Sequence, residues 1–142
     1  MATTSASEPL QITREPDLVH LRVRGPFDLP VARAVHELIA QIMDENGRCY
    51  LLADMSQLDG IPNDARRYVG EWHKTHTITG VAVYGASFAT RALATLMFHA
   101  VRIVGRQQME MEFVRDEADA RRWIAAHIAR THAATGGHDV RR

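Results

Sequence analysis

The chain has 142 residues, with 17 Lys and Arg against 17 Asp and Glu and 46% hydrophobic residues. One domain is the default at this length, since domains usually run about 100–200 residues, and the balance excludes a wholly disordered, collagen-like or coiled-coil chain. Zero formal net charge gives no broad positive field for a nucleic-acid backbone. The single Cys49 cannot make an internal disulfide, and no apolar run approaches the roughly 20 residues that insert across a bilayer. Met1 to Glu8 is small and polar, without the features of a secretory signal, so a cytoplasmic location is expected.

Leu10 to Glu15 alternates, Pro16-Asp17 interrupts, and Leu18 to Arg24 alternates again before Gly25-Pro26, which predicts an antiparallel hairpin. On its second strand Val19, Leu21 and Val23 share one face while His20, Arg22 and Arg24 share the other. From Leu29 the period becomes helical through Val31, Val35, Leu38, Ile39 and Ile42, predicting a helix from Pro30 to Glu45 with Asp28 as N-cap and Asn46-Gly47 as the stop. Cys49 to Ala53 is an apolar run ending in Asp54-Met55-Ser56, which reads as a central strand running into a loop with the turn-prone Asp59-Gly60 and Pro62-Asn63. An amphipathic helix from Asp64 to His76 follows, with Tyr68 and Trp72 on its apolar stripe.

Ile78 to Gly85 is a second buried strand, and Ser87 suits the N-cap of a helix from Phe88 to Val104. Met109 to Val114 alternates as an edge strand, and Asp116-Glu117 opens a last helix ending at Arg130. The order ββαβαβαβα implies an α/β fold: a single domain with a mixed sheet, parallel after the hairpin, and helices packed on it. The domain is expected over residues 9–130, with a flexible N-terminus at 1–8 and a flexible C-terminal tail at 131–142 that holds Gly136-Gly137.

The segment Leu51-Leu52-Ala53-Asp54-Met55-Ser56-Gln57-Leu58-Asp59-Gly60-Ile61-Pro62-Asn63-Asp64 has a strand ending in Asp-aliphatic-Ser, spaced aliphatics, then a helix start. In this, and in size and element order, the chain resembles the STAS family, which includes the sporulation anti-sigma factor antagonists and the SpoIIAA-like proteins. The resemblance covers Leu10 to Arg130. It implies a non-enzymatic signalling module that docks a protein partner, such as an anti-sigma factor, through this loop and the following helix. It also implies a Ser or Thr at the helix start whose phosphorylation releases the partner. Here Pro62-Asn63-Asp64 occupies that place, so no hydroxyl stands at the switch position. Either switching is lost or Asp64 is a fixed negative charge where a phosphate would sit, while helix capping is the commoner use of Asn63 or Asp64. The partner-binding residues expected on these grounds are Asp54, Ser56, Asp59, Ile61, Asn63, Asp64, Arg66, Arg67 and Ser87.

Asp54, Ser56 and Ser87 all fall at carboxyl ends of strands, where open α/β sheets place their sites, and are expected to face one crevice. No base stands beside a nucleophile, no glycine-rich phosphate fingerprint occurs, and His73 with His76 lacks a third ligand at metal-binding spacing, so no catalytic residue, cofactor or metal is expected. The Phe88 to Val104 helix has more apolar surface than one sheet face needs. Ala94, Met97, Phe98 and Val101 are expected to meet a second copy in a homodimer or to line a small hydrophobic ligand or lipid site, which is the alternative function.

Overall fold

A computed structural model describes residues 10–105 and 109–140; the expected flexible segment 1–8 lies outside them. The elements run β1 (Leu10–Glu15), β2 (Leu18–Gly25), α1 (Leu29–Asn46), β3 (Tyr50–Leu58), α2 (Asn63–Trp72), β4 (Gly80–Tyr84), α3 (Phe88–Gly105), β5 (Glu110–Val114) and α4 (Glu117–Val140). One five-stranded sheet has the order β1-β2-β3-β4-β5. β1 and β2 pair antiparallel, and every later neighbour is parallel, as the element order requires.

β3 and β4 are covered on both faces and bury residues on both sides of the pleat, whereas β2 buries one face. Val19, Leu21, Leu51, Ala53, Val81 and Val83 meet α1, α2 and α3, with Val35, Ile39, Ile42, Val69 and Trp72 beneath those helices. Tyr50, Leu52, Ala82 and Tyr84 point the other way, onto Ala120 and Ile124 of α4. Asp28 caps α1 by accepting from the Val31 amide at 3.2 Å, as expected, and Gly47 closes the helix.

Three boundaries differ from expectation. β3 runs on to Leu58, two residues past the expected end at Ser56, and a bulge sets Met55 and Ser56 against the single residue Val23 of β2 without ending the ladder. α2 ends at Trp72, and His73 to His76 tighten into turns through amides bonded to Val69, Glu71 and Trp72. α4 continues past Arg130 to Val140, with Gly136-Gly137 inside it. Thr131 Oγ1 donates to the His127 and Ile128 carbonyls of the preceding turn, and glycine weakens a helix without removing a hydrogen bond as proline does.

Candidate functional site

Asp54 closes the bulge. Its Oδ1 accepts from the Ser56 amide at 3.0 Å and from Ser56 Oγ at 2.8 Å, while Oδ2 lies 3.6 Å from Arg22 Nε. The Asp-Met-Ser element is therefore a structural device: the carboxylate satisfies the amide that the bulge leaves out of the ladder. Ser56 packs against Gly85, where a Cβ would stand 2.9 Å from Ser56 Cβ and 3.0 Å from its nitrogen, and Gly85 has φ +77°. Both the close approach and the left-handed backbone require glycine there.

From this bulge the β3–α2 loop turns across the β2–α1 loop and is bonded to it. The Asp59 amide donates to Gly25 O at 2.7 Å and the Phe27 amide to Gly60 O at 3.0 Å. Ile61 turns inward and is buried in the core, so its side chain is an anchor and not part of the docking surface expected of it. That anchoring fixes the direction in which α2 begins. Asn63, Asp64, Arg66 and Arg67 are exposed on its first turns.

Pro62 occupies the N-cap without a side-chain cap bond. Neither Asn63 nor Asp64 is the cap, in contrast to the bland expectation for them. Asn63 Oδ1 accepts from Arg66, and Asp64 Oδ1 accepts from the Ala65 amide at 2.8 Å, so a carboxylate sits among the first-turn amides where the helix dipole favours it.

Ser87 is the N-cap of α3, its Oγ accepting from the Thr90 amide at 3.2 Å. The single crevice expected for Asp54, Ser56 and Ser87 is not formed. Asp54 and Ser56 open onto a cleft of about 120 Å³ walled by Gln11, Arg22, Arg24 and Gln57, which Ser87 does not line.

On the α4 side lies a polar network outside the expected site. His20 Nε2 and the Tyr84 hydroxyl are 2.8 Å apart, Arg22 Nη2 is 3.5 Å from Glu117, and Arg121 bonds both Glu15 oxygens at 2.9 and 2.7 Å. The guanidinium of Arg121 holds the Glu15 carboxyl below its usual range, and burial pushes the His20 imidazole down. The alternation of β2 put His20 and Arg22 on one face. Their partners Tyr84 and Glu117 are too distant in sequence for any local signal to pair them.

The four residues expected to form a dimer or ligand patch, Ala94, Met97, Phe98 and Val101, face inward. With Leu51, Met55, Ile61, Val69, Met111 and others they wall an apolar cavity of about 110 Å³ between α3 and the sheet. The outer side of α3 carries instead Phe88, Leu96 and Ile103, which are 89%, 68% and 78% exposed. Helical phase decides this: 93, 94, 97, 98 and 101 share the inner arc, 88 and 103 fall away from it, and Leu96 lies at the edge toward Val69 and Gly70 of α2.

His36 also reaches the cavity wall. Its Nδ1–H donates to Ala32 O at 2.8 Å, its ring meets Trp72 edge-on at 4.8 Å, and burial lowers its pKa to about 4. His76 stacks on Trp72 at 4.5 Å, and His127 bonds the Tyr50 hydroxyl at 2.6 Å. Of the two histidines weighed as metal ligands, His73 is buried edge-on to the rings of His36 and Trp72, and His76 stacks on Trp72. Among the described residues no group of three or more His, Cys, Asp or Glu is placed to hold a metal ion, and no helix is long and apolar enough to cross a membrane. Cys49 is buried, and burial pushes its thiol up to about 12, so it is a core side chain and no nucleophile.

A mixed sheet with three crossover helices on one side, a terminal helix on the other and a pinned β3–α2 loop defines a STAS-type domain. The chain belongs to the SpoIIAA-like family, whose model matches residues 18–125. Among solved structures, the anti-sigma factor antagonist SpoIIAA in its unphosphorylated form is similar with a TM-score of 0.51 at 13% identity, over 82% of this chain and 96% of that one. That likeness is one of fold. A protein of the DUF3478 family with a SpoIIAA-like fold, from Shewanella loihica PV-4, is 20% identical with a TM-score of 0.49, over 87% of this chain and 98% of that one. No curated protein sequence matches the chain.

Proposed function

We propose that this chain is a non-enzymatic, cytoplasmic protein-interaction module that docks a signalling protein of the anti-sigma factor kind through the β3–α2 loop and the exposed start of α2. The observation that carries this reading is the loop itself. Two backbone hydrogen bonds and the buried Ile61 hold it, and beyond it Asn63, Asp64, Arg66 and Arg67 stand in solvent with no packing role of their own. Rigid presentation of exposed polar groups lowers the ordering cost of binding. With Pro62-Asn63-Asp64 at the helix start there is no hydroxyl to phosphorylate, and Asp64 supplies a permanent charge in the first turn. Ala94, Met97, Phe98 and Val101 face the cavity, so docking and not self-association is the basis of the reading.

The test is native mass spectrometry of tagged protein drawn gently from its own cells, with Asp64→Ser and Arg67→Glu alongside. A retained protein that Arg67→Glu loses, and that Asp64→Ser binds at least fivefold differently, supports the module. Unchanged retention by both variants sinks it. The ligand reading has one observation in its favour, the apolar cavity. Its 110 Å³ is on the scale of an engineered cavity of about 150 Å³ that takes benzene, and well below the roughly 300 Å³ at which ligand sites begin. A lipid-sized mass on the purified protein would overturn the ranking.

A further inference from the structure

The cavity of about 110 Å³ beneath α3 destabilises the fold while it stands open. Native cores keep few voids larger than a water molecule, and an unfilled one forfeits contacts in proportion to its volume. Its wall is apolar except for two imidazoles, His36 and His73, whose ring centroids lie 5.9 Å apart. Water is a poor occupant of such a space, since a buried water takes about three polar partners, whereas an apolar cavity of about 150 Å³ stays dry and takes benzene.

Two features of the wall set what fits. The first is its give. Met55, Met97, Met109 and Met111, four of the six methionines of the chain, line it, and an unbranched thioether changes rotamer with little loss of packing. The space can therefore widen toward the benzene-sized case while staying far below the roughly 300 Å³ of larger ligand sites. The second is His36, which is 3% exposed. Its Nδ1–H is committed to Ala32 O at 2.8 Å, so the lone pair of the neutral ring is on Nε2, and among the described residues no donor is bonded to that atom. Burial keeps the ring neutral near neutral pH by lowering its pKa to about 4. A buried acceptor without a donor is costly, and on the wall of an apolar cavity it selects an occupant that brings one.

We propose that this cavity is a binding site for a compact apolar molecule of about seven heavy atoms that bears one hydroxyl, a phenol or a small cyclic alcohol, whose O–H donates to His36 Nε2 while its ring packs against the methionines. Such a molecule lies against Met55 of the β3 bulge and Ile61, the anchor of the β3–α2 loop. Val69, Met97 and Val101 line both the cavity and the groove between α2 and α3, so the occupant enters past them. The inference goes beyond the docking reading and does not rest on it.

The full chain is titrated with phenol and with toluene, which has the same shape and a methyl in place of the hydroxyl, and followed by NMR at the methyl groups of Met55, Ile61 and Met97. The expected result is saturable phenol binding with a dissociation constant of about 1 mM or tighter, within reach of so few atoms, and shifts confined to the cavity wall. His36→Leu, which keeps the volume and removes the acceptor, should weaken phenol about five- to tenfold and leave toluene within about twofold. Met97→Ala enlarges the cavity and should bind both molecules more tightly. Ala94→Leu fills it and should bind neither, with thermal melts establishing that each variant is folded.

Phenol binding that does not saturate, that leaves the Ile61 and Met97 methyls unmoved, or that His36→Leu does not weaken relative to toluene would overturn the proposal. So would a lipid-sized mass retained by the purified protein, which needs a far larger space. Failure of phenol to bind leaves the loop reading standing, and a cellular partner indifferent to Asp64→Ser and Arg67→Glu sinks the loop reading without touching the cavity.

Discussion

The two faces of the sheet solve the same burial problem differently. Toward α4, Tyr50, Leu52, Ala82 and Tyr84 meet Ala120 and Ile124, and the margin is closed by ion pairs that tie β1 and β2 to α4 through Glu15, Arg22, Glu117 and Arg121. Toward α1, α2 and α3 the core is larger and includes the buried His36 and His73, yet it keeps a cavity under α3, and its outer helix leaves hydrophobic side chains in solvent. A closed, charge-satisfied face anchors a fold. A face that keeps spare volume and exposed apolar side chains is less completely closed.

That contrast can be broken most strongly in the cores. Leu52→Ala, on the close-packed face, should cost about 2–5 kcal/mol, whereas Met97→Ala, on the wall of an existing cavity, should cost less than about 2 kcal/mol. Urea unfolding of the two variants measures the difference, and equal losses would mean that the faces are packed alike.

The next effect is one of pH. Unfolded His36 takes a proton near its ordinary pKa, while the native ring resists until about 4, so the unfolded state binds more protons between those values and stability falls as pH drops through that window. The loss amounts to about 3 kcal/mol at the acid end. Denaturation midpoints of wild type and His36→Phe, compared from neutral pH to pH 4, should converge on acidification; parallel curves would remove His36 from the account.

Smaller again is Gly85→Ala, which brings a methyl group against Ser56 on a left-handed backbone and should cost about 1–3 kcal/mol. Its signature is local: amide exchange at Ser56 and Gln57 should speed up more than at α4, and uniform exchange would refute the role of the contact. The smallest is Arg121→Met. It removes a partly exposed pair of ion pairs, so the cost should be about 1 kcal/mol at low salt and fade as salt is added. A cost that ignores salt would show that packing of the stem, and not charge, joins β1 to α4.

Several local signals were readable, although the capping expected of Asn63 or Asp64 was not met. The alternation of β2, the Asp28 cap, the Ser87 cap and the helical period of α1 all depend on contacts within a few residues, and each stands where expected. The bulge at Met55 and Ser56 was not legible, because only pairing with Arg22 and Arg24 across β2 sets two residues of β3 against one. The apolar surplus of α3 was visible, but its direction was not. Met97 and Phe98 face the cavity while Leu96 and Ile103 face water because α2 and the sheet fix the roll of that helix.

By itself, then, the sequence determined the element order, the single α/β domain and the resemblance that the family match bears out, because periodicity and turn chemistry are written in neighbouring residues. Only the tertiary structure decided that Ile61 is an anchor and that Glu15 and Glu117 belong to Arg121. Those facts depend on which distant residues come within a few ångströms of one another, and that is set by the folding of the sheet and the seating of its helices, which no short stretch of chain encodes.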